Sequence, residues 1–130
     1  MARGLDVAWL AMHIVNVVID CADPERLAPF WSAATGYSRT WSNDEFIVLS
    51  PGDRGGPLLL LQRVPEPKVG KNRVHVDLGA GDLEAEVERL VGLGAVRGQA
   101  HDLGFVRWNV MADPDGNEFC ISAPQPARTT

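Results

Sequence analysis

The sequence predicts an α+β fold made of two βαβββ halves, and three observations carry that prediction. Val74, Val76 and Leu78 alternate with Arg73, His75 and Asp77, the period of two of a strand, just before a helical run from Leu83 to Leu93. Setting Asn16 against His75 brings Val17 onto Val76, Asp23 onto Asp82 and Glu25 onto Glu84, so strand and helix start in step in both halves. Each half then ends in two strands joined by a Pro/Gly turn. Such a half has an apolar sheet face that it cannot cover alone, so two must pack together.

The elements follow in order. His13 to Cys21 reads as a strand rich in β-branched residues, apolar on both faces and therefore expected to be covered on both, with Asn16 as its polar exception. Asp23 is a good N-cap, Pro24 suits the first helical position and Glu25 the first turn. Leu27, Phe30, Trp31 and Ala34 form one apolar stripe, and Gly36 stops the helix. Tyr37 to Trp41, Glu45 to Ser50 and Leu58 to Val64 read as strands, with a turn at Pro51 to Gly56. Pro65 to Lys71, with two prolines and two lysines, joins the halves.

In the second half Arg73 to Leu78 is a strand whose polar face carries a cation, an imidazole and a carboxylate in a row. That row is costly to bury without partners or a ligand. Asp82 caps a helix with the stripe Leu83, Val87, Leu90 and Val91, ended at Gly92-Leu93-Gly94. Ala95 to Gln99 and Gly104 to Met111 read as strands, Asp113-Pro114-Asp115-Gly116 as a turn and Asn117 to Ser122 as the last strand. Met1 to Met12 is a weakly determined lead-in, and Pro124 to Thr130 a loose tail.

At 130 residues the chain is expected to be a single domain, with module one at about 13–64 and module two at about 73–122. The net charge of -5 and pI near 5.1 argue against nucleic acid or an anionic membrane as partner. The apolar stretch from Val7 to Ile19 is interrupted by His13 and Asn16, too short and polar for a membrane span or a secretory signal. Two cysteines make no disulfide framework. A cytoplasmic protein with reduced thiols is expected.

Several strings then stand out together: Val18-Ile19-Asp20-Cys21-Ala22-Asp23-Pro24-Glu25-Arg26-Leu27 with Phe30-Trp31; Gln62 to Pro67 with Lys71 to Asp77; and Met111 to Cys120. With them the chain, from about Ile14 to Ser122, resembles the vicinal oxygen chelate superfamily, also called the glyoxalase/bleomycin-resistance/dioxygenase superfamily. Within it, the chain is most similar to short bacterial glyoxalase-like domain proteins. The resemblance implies two βαβββ modules forming an open, incomplete barrel around a central cleft with helices outside, and a homodimer. In metal-dependent members four cleft positions supply His, Glu or Gln ligands. Carried over by position these are Asn16, His75, Cys120 and either Gln62 or Leu60. A His/Cys/Asn/Gln set matches no hard-metal preference, so neither metal nor other cofactor is expected.

The expected ligand-binding residues are Asn16, Gln62, Arg73, His75, Asp77, Trp108 and Cys120. Arg73 and Asp77 can hold a carboxylate or an amine, or else pair across strands or with Glu118. Trp108, like Trp41, can stack on a planar ligand. Cys120 reads as a small buried residue, Trp31 as core, and Asp113 and Asp115 as turn formers. The expected function is binding of a small, aromatic or cationic molecule in the cleft, for which the acidic charge suits a cation. The alternative is a lyase or isomerase acting on a small oxygenated metabolite through His75 and Asp77.

Overall fold

In the computed structural model the described residues are 14–125. The expected lead-in and most of the tail lie outside them. Module one runs β1 (Asn16–Cys21), α1 (Pro24–Thr35), β2 (Ser38–Ser42), β3 (Phe46–Ser50) and β4 (Leu58–Arg63). Module two runs β5 (Asp77–Gly79), α2 (Leu83–Gly92), β6 (Val96–Asp102), β7 (Val106–Ala112) and β8 (Glu118–Pro124). The sheets have the orders β1-β4-β3-β2 and β5-β8-β7-β6. Both modules are therefore βαβββ, and together they make an open barrel that does not close.

Local chemistry sets the helices as the sequence requires. Asp23 accepts a hydrogen bond from the Glu25 amide, and Asp82 from that of Ala85. Gly36 takes the left-handed conformation that ends α1. The C-terminal carbonyls of α1 receive cations from elsewhere: Arg89 of α2 donates to the carbonyls of Ala33 and Ala34, and Arg54 to that of Thr35.

The core lies where α1 and α2 back onto the sheets. Leu27, Phe30 and Trp31 meet Ile47, Leu49 and Leu61, while Val87 and Leu90 meet Met111 and Ile121. Phe119 joins the halves, its ring 5.0 Å from Trp31 and 6.1 Å from Phe30 in edge-to-face contacts. Trp31 is core, as its stripe required.

Asp113 fixes this junction. Its buried carboxylate accepts from Asp115 N and Asn117 N at 2.9 Å, as a turn aspartate should, and also from Trp31 Nε1 at 3.0 Å across the modules. Asp115, expected to serve its own turn, instead accepts from the Ala22 amide of module one, and Asn117 Nδ2 donates to the Asp20 carbonyl.

Three expectations need correction. The strand expected over Arg73 to Leu78 shrinks to Asp77–Gly79: the Glu118 carbonyl, which the register sets opposite His75, is taken by the Asn72 side chain instead. This stretch is held at its ends, Asn72 by Glu118, described below, and the Val76 carbonyl by the Cys120 amide. β6 runs on to Asp102, crossing a bulge between Arg97 and Ala100 that period-two alternation could not show. There Gly98 is required by contact, since a Cβ would sit 2.7 Å from the Val110 carbonyl oxygen. Finally, β1 is not covered on both faces: Val17 and Ile19 pack on the core, whereas Val18 stays 48% exposed on the open face.

Asp113→Ala is expected to lower the unfolding free energy by about 3 kcal/mol, because it strands buried donors worth roughly 1–3 kcal/mol each. A urea midpoint equal to that of the parent protein contradicts this role.

Candidate functional site

Alternation gives each sheet one face on the core and one open face. On module two, paired residues in successive strands form rows across the open face. One row is Asp77, Cys120 and Val110; the next is Gly79, Ser122, Trp108 and His101. On module one the matching rows are Val18, Leu60, Val48 and Trp41, then Asp20, Gln62 and Phe46.

These registers settle the position that the sequence left open. Val18 pairs with Leu60 as Asp77 pairs with Cys120, so Leu60 is the counterpart of Cys120. Gln62 lies one row further on, its amide donating to Glu45 at 2.9 Å. Asn16, opposite Leu58, begins the same strand face, which is polar only at its ends.

His75, Asp77 and Cys120 come together. His75 Nε2 is 3.2 Å from Asp77 Oδ1, and one polar atom from each of the three residues lies within 4.8 Å of the others. The contact with the Asp77 carboxylate makes Nε2 the donating nitrogen. His75 and Asp77 are about half exposed, with side-chain exposures of 47% and 61%, while Cys120 is buried. Burial, and then the Asp77 charge, push the Cys120 thiol up. Cys21, the last residue of β1, is pushed up to about 12 by burial and by Asp115 and Asp113. Both cysteines are free and held as protonated thiols, which makes them poor nucleophiles at neutral pH.

Arg73 and His75 also line a cavity of about 440 Å³ between the free edge of β1 and the crossing segment. Its wall includes Asp20, Glu66, Lys68 and Asn72. Asn16, Gln62, Asp77, Trp108 and Cys120 are not part of that wall. His75 thus stands where the cavity meets the open face of module two.

A group that sequence reasoning missed holds this wall. Glu118 accepts from the Asn72 amide at 2.8 Å and pairs with Lys68 at 3.0 Å, while Asn72 Nδ2 donates to the Glu118 carbonyl. The Asn72 amide, helped by Lys68, holds the Glu118 carboxyl below its ordinary range. Glu118 was a possible partner for Arg73 or Asp77, but it binds neither. The signal in the sequence was a strand-start glutamate and a lysine-bearing linker, which spacing alone cannot connect. His101 was also missed. It stacks on Trp108 with ring centroids 4.9 Å apart and planes 16° from parallel.

With this geometry in place, the comparisons are direct. The glyoxalase-like domain profile matches residues 16–122. The chain belongs to that family, and with it to the vicinal oxygen chelate superfamily. A glyoxalase/bleomycin resistance protein/dioxygenase family enzyme from Burkholderia phytofirmans PsJN superposes with a TM-score of 0.74 at 14% identity, over 88% of this chain and 100% of that one. TnmS3, an antibiotic binding protein from Streptomyces sp. CB03234, has a TM-score of 0.68 at 19% identity, over 88% and 98%. The fosfomycin resistance protein FosX from Listeria monocytogenes has a TM-score of 0.68 at 13% identity, over 88% and 93%. At these identities the likeness is one of fold. No curated protein matches the chain.

The donor set does not fit the four-ligand metal centre of metal-dependent members. Module one would supply Asn16 and Leu60, a neutral amide and a hydrocarbon. Module two supplies His75 and a protonated thiol, with Asp77 already contacting both. Elemental analysis of the purified protein is expected to find no stoichiometric Ni, Zn, Mn or Fe. Close to one ion per chain, lost in His75→Ala, contradicts this.

Proposed function

We propose that this glyoxalase-like domain binds a small molecule, aromatic or cationic, in the cleft between its sheets and without a metal. The observation that carries the reading is the position of His75, which lines the 440 Å³ cavity and contacts Asp77 on the open face. A cavity of this size holding a few convergent polar groups is what a small-molecule site requires. Arg73 beside it suits an anionic group, and Asp20 and Glu66 suit a cation. Val18, Val69 and Val74 supply the cavity's non-polar lining. Antibiotic binding by the structural neighbour TnmS3 agrees with a binding role.

The His75–Asp77 pair also supports the alternative, a lyase or isomerase in which Asp77 orients the imidazole and Nδ1 takes a proton from an oxygenated substrate. That reading requires turnover, whereas the binding reading requires none. Among the described residues no helix is long and apolar enough to cross a membrane.

The reading includes a homodimer, because Ile14, Val15 and Val18 leave apolar area on the unpaired edge of β1. Light scattering at micromolar concentration is expected to give twice the chain mass, and a monomeric mass removes this part. For the site, titrating ring-labelled histidine with a panel of cationic aromatic amines is expected to shift His75 saturably, with no product formed. His75→Ala is expected to weaken binding roughly tenfold. If no compound in the panel shifts His75, the cleft reading fails.

A further inference from the structure

Gly79 has no structural reason to be a glycine. It lies in a strand, has no positive φ, and a Cβ built on it meets nothing within 4 Å. Gly79 is the last residue of β5, and a strand glycine that the fold does not need can mark the close approach of a ligand.

Its row explains what would approach. The centroid separation of His101 and Trp108, 4.9 Å, matches the spacing of neighbouring strands, about 4.8 Å. The two rings therefore stand upright and parallel on β6 and β7, their faces turned along the row. His101 covers one face of Trp108. The other looks over Ser122 on β8 and Gly79 on β5, a small side chain followed by none. Two strand spacings leave a slot about 10 Å wide. The matching row of module one is filled by Phe46, Gln62 and Asp20, with Gln62 tied to Glu45. Only module two keeps the place open.

The row beside the slot carries Asp77 and Cys120. Two residues along a strand span about 7 Å, so the Asp77 carboxylate lies within reach of a short arm on a ring seated in the slot. Aromatic rings favour offset stacking at this kind of separation, and the carboxylate favours a cation.

We propose that Gly79, Ser122 and Trp108 form a ring-stacking subsite that selects a planar aromatic ring bearing a short cationic arm directed at Asp77. This rests on the cleft reading above and names the class of ligand that it takes. Gly79 is then the specificity-determining position: a branched side chain there narrows the slot below what a stacked ring needs.

The test uses tryptamine and an amine that keeps the two-carbon cationic arm but carries a saturated ring, 2-cyclohexylethylamine, titrated into the isotope-labelled full chain. Tryptamine is expected to shift the Gly79 and Ser122 amides saturably. The saturated amine is expected to bind about three- to tenfold more weakly, the worth of one stacking contact. Gly79→Val is expected to abolish the tryptamine shifts while leaving thermal stability unchanged or raised, since valine suits an exposed strand position. Trp108→Leu is expected to weaken tryptamine to the level of the saturated amine. Tryptamine shifts confined to Arg73 and His75, with equal affinity in Gly79→Val, overturn the subsite and leave the cleft reading standing. No saturable shift from either amine, at any residue, overturns both.

Discussion

The junction at Asp113 is the constraint on which the rest depends. A buried carboxylate is tolerable only when it is fully hydrogen-bonded, and here the donors come from both modules. The β7–β8 turn is thereby locked to α1 through Trp31. Phe119 then stacks on Trp31 and Phe30, so one aromatic cluster serves two sheets. With the helix-side faces committed to this shared core, the other face of each sheet is left open, and any ligand chemistry must reside there or in the gap beside β1.

The two modules share a plan but differ in what they place on that open face. Module one is largely apolar, with Val18, Leu60 and Val48 in one row. Module two holds its ionisable groups together, with His75, Asp77 and Cys120 in mutual reach. The register arithmetic makes the contrast strict, since Leu60 and Cys120 are equivalent positions. A centre built on the four equivalent strand positions finds a hydrocarbon at Leu60, whereas a cleft with one largely apolar and one polar wall needs no donor there.

The helices, their caps and the repeat were legible in the sequence because they depend on neighbours in the chain. Asp23 and Asp82 cap local amides, and the stripe of Leu27, Phe30 and Trp31 follows from the helical period. The shortened β5 was not legible. His75 has the alternation of a strand residue, yet whether it enters the ladder depends on how Glu118, its counterpart on β8, is engaged by Asn72. The same limit hid the tie from Asn72 to Glu118 and the stack of His101 on Trp108. The pairing of His75 with Asp77 was visible because the residues sit two apart, and that of either with Cys120 because the turn at Gly116 anchors the count. The choice between Leu60 and Gln62 needed the β1–β4 ladder itself.

The crossing between modules is hung from two staples. At one end the Val64 amide donates to the Cys21 carbonyl, and at the other Asn72 is held by Glu118. Between them Pro65, Glu66, Pro67 and Val69 are exposed, and the last three line the cavity. Lengthening a free loop costs little conformational entropy. Insertions or replacements in this stretch can therefore reshape one wall of the cavity while both sheets, the aromatic junction and the polar trio stay in place. The segment is in that sense a replaceable panel: outside Lys68, its exposed residues can be exchanged at little cost to the fold, and with them the shape of that wall.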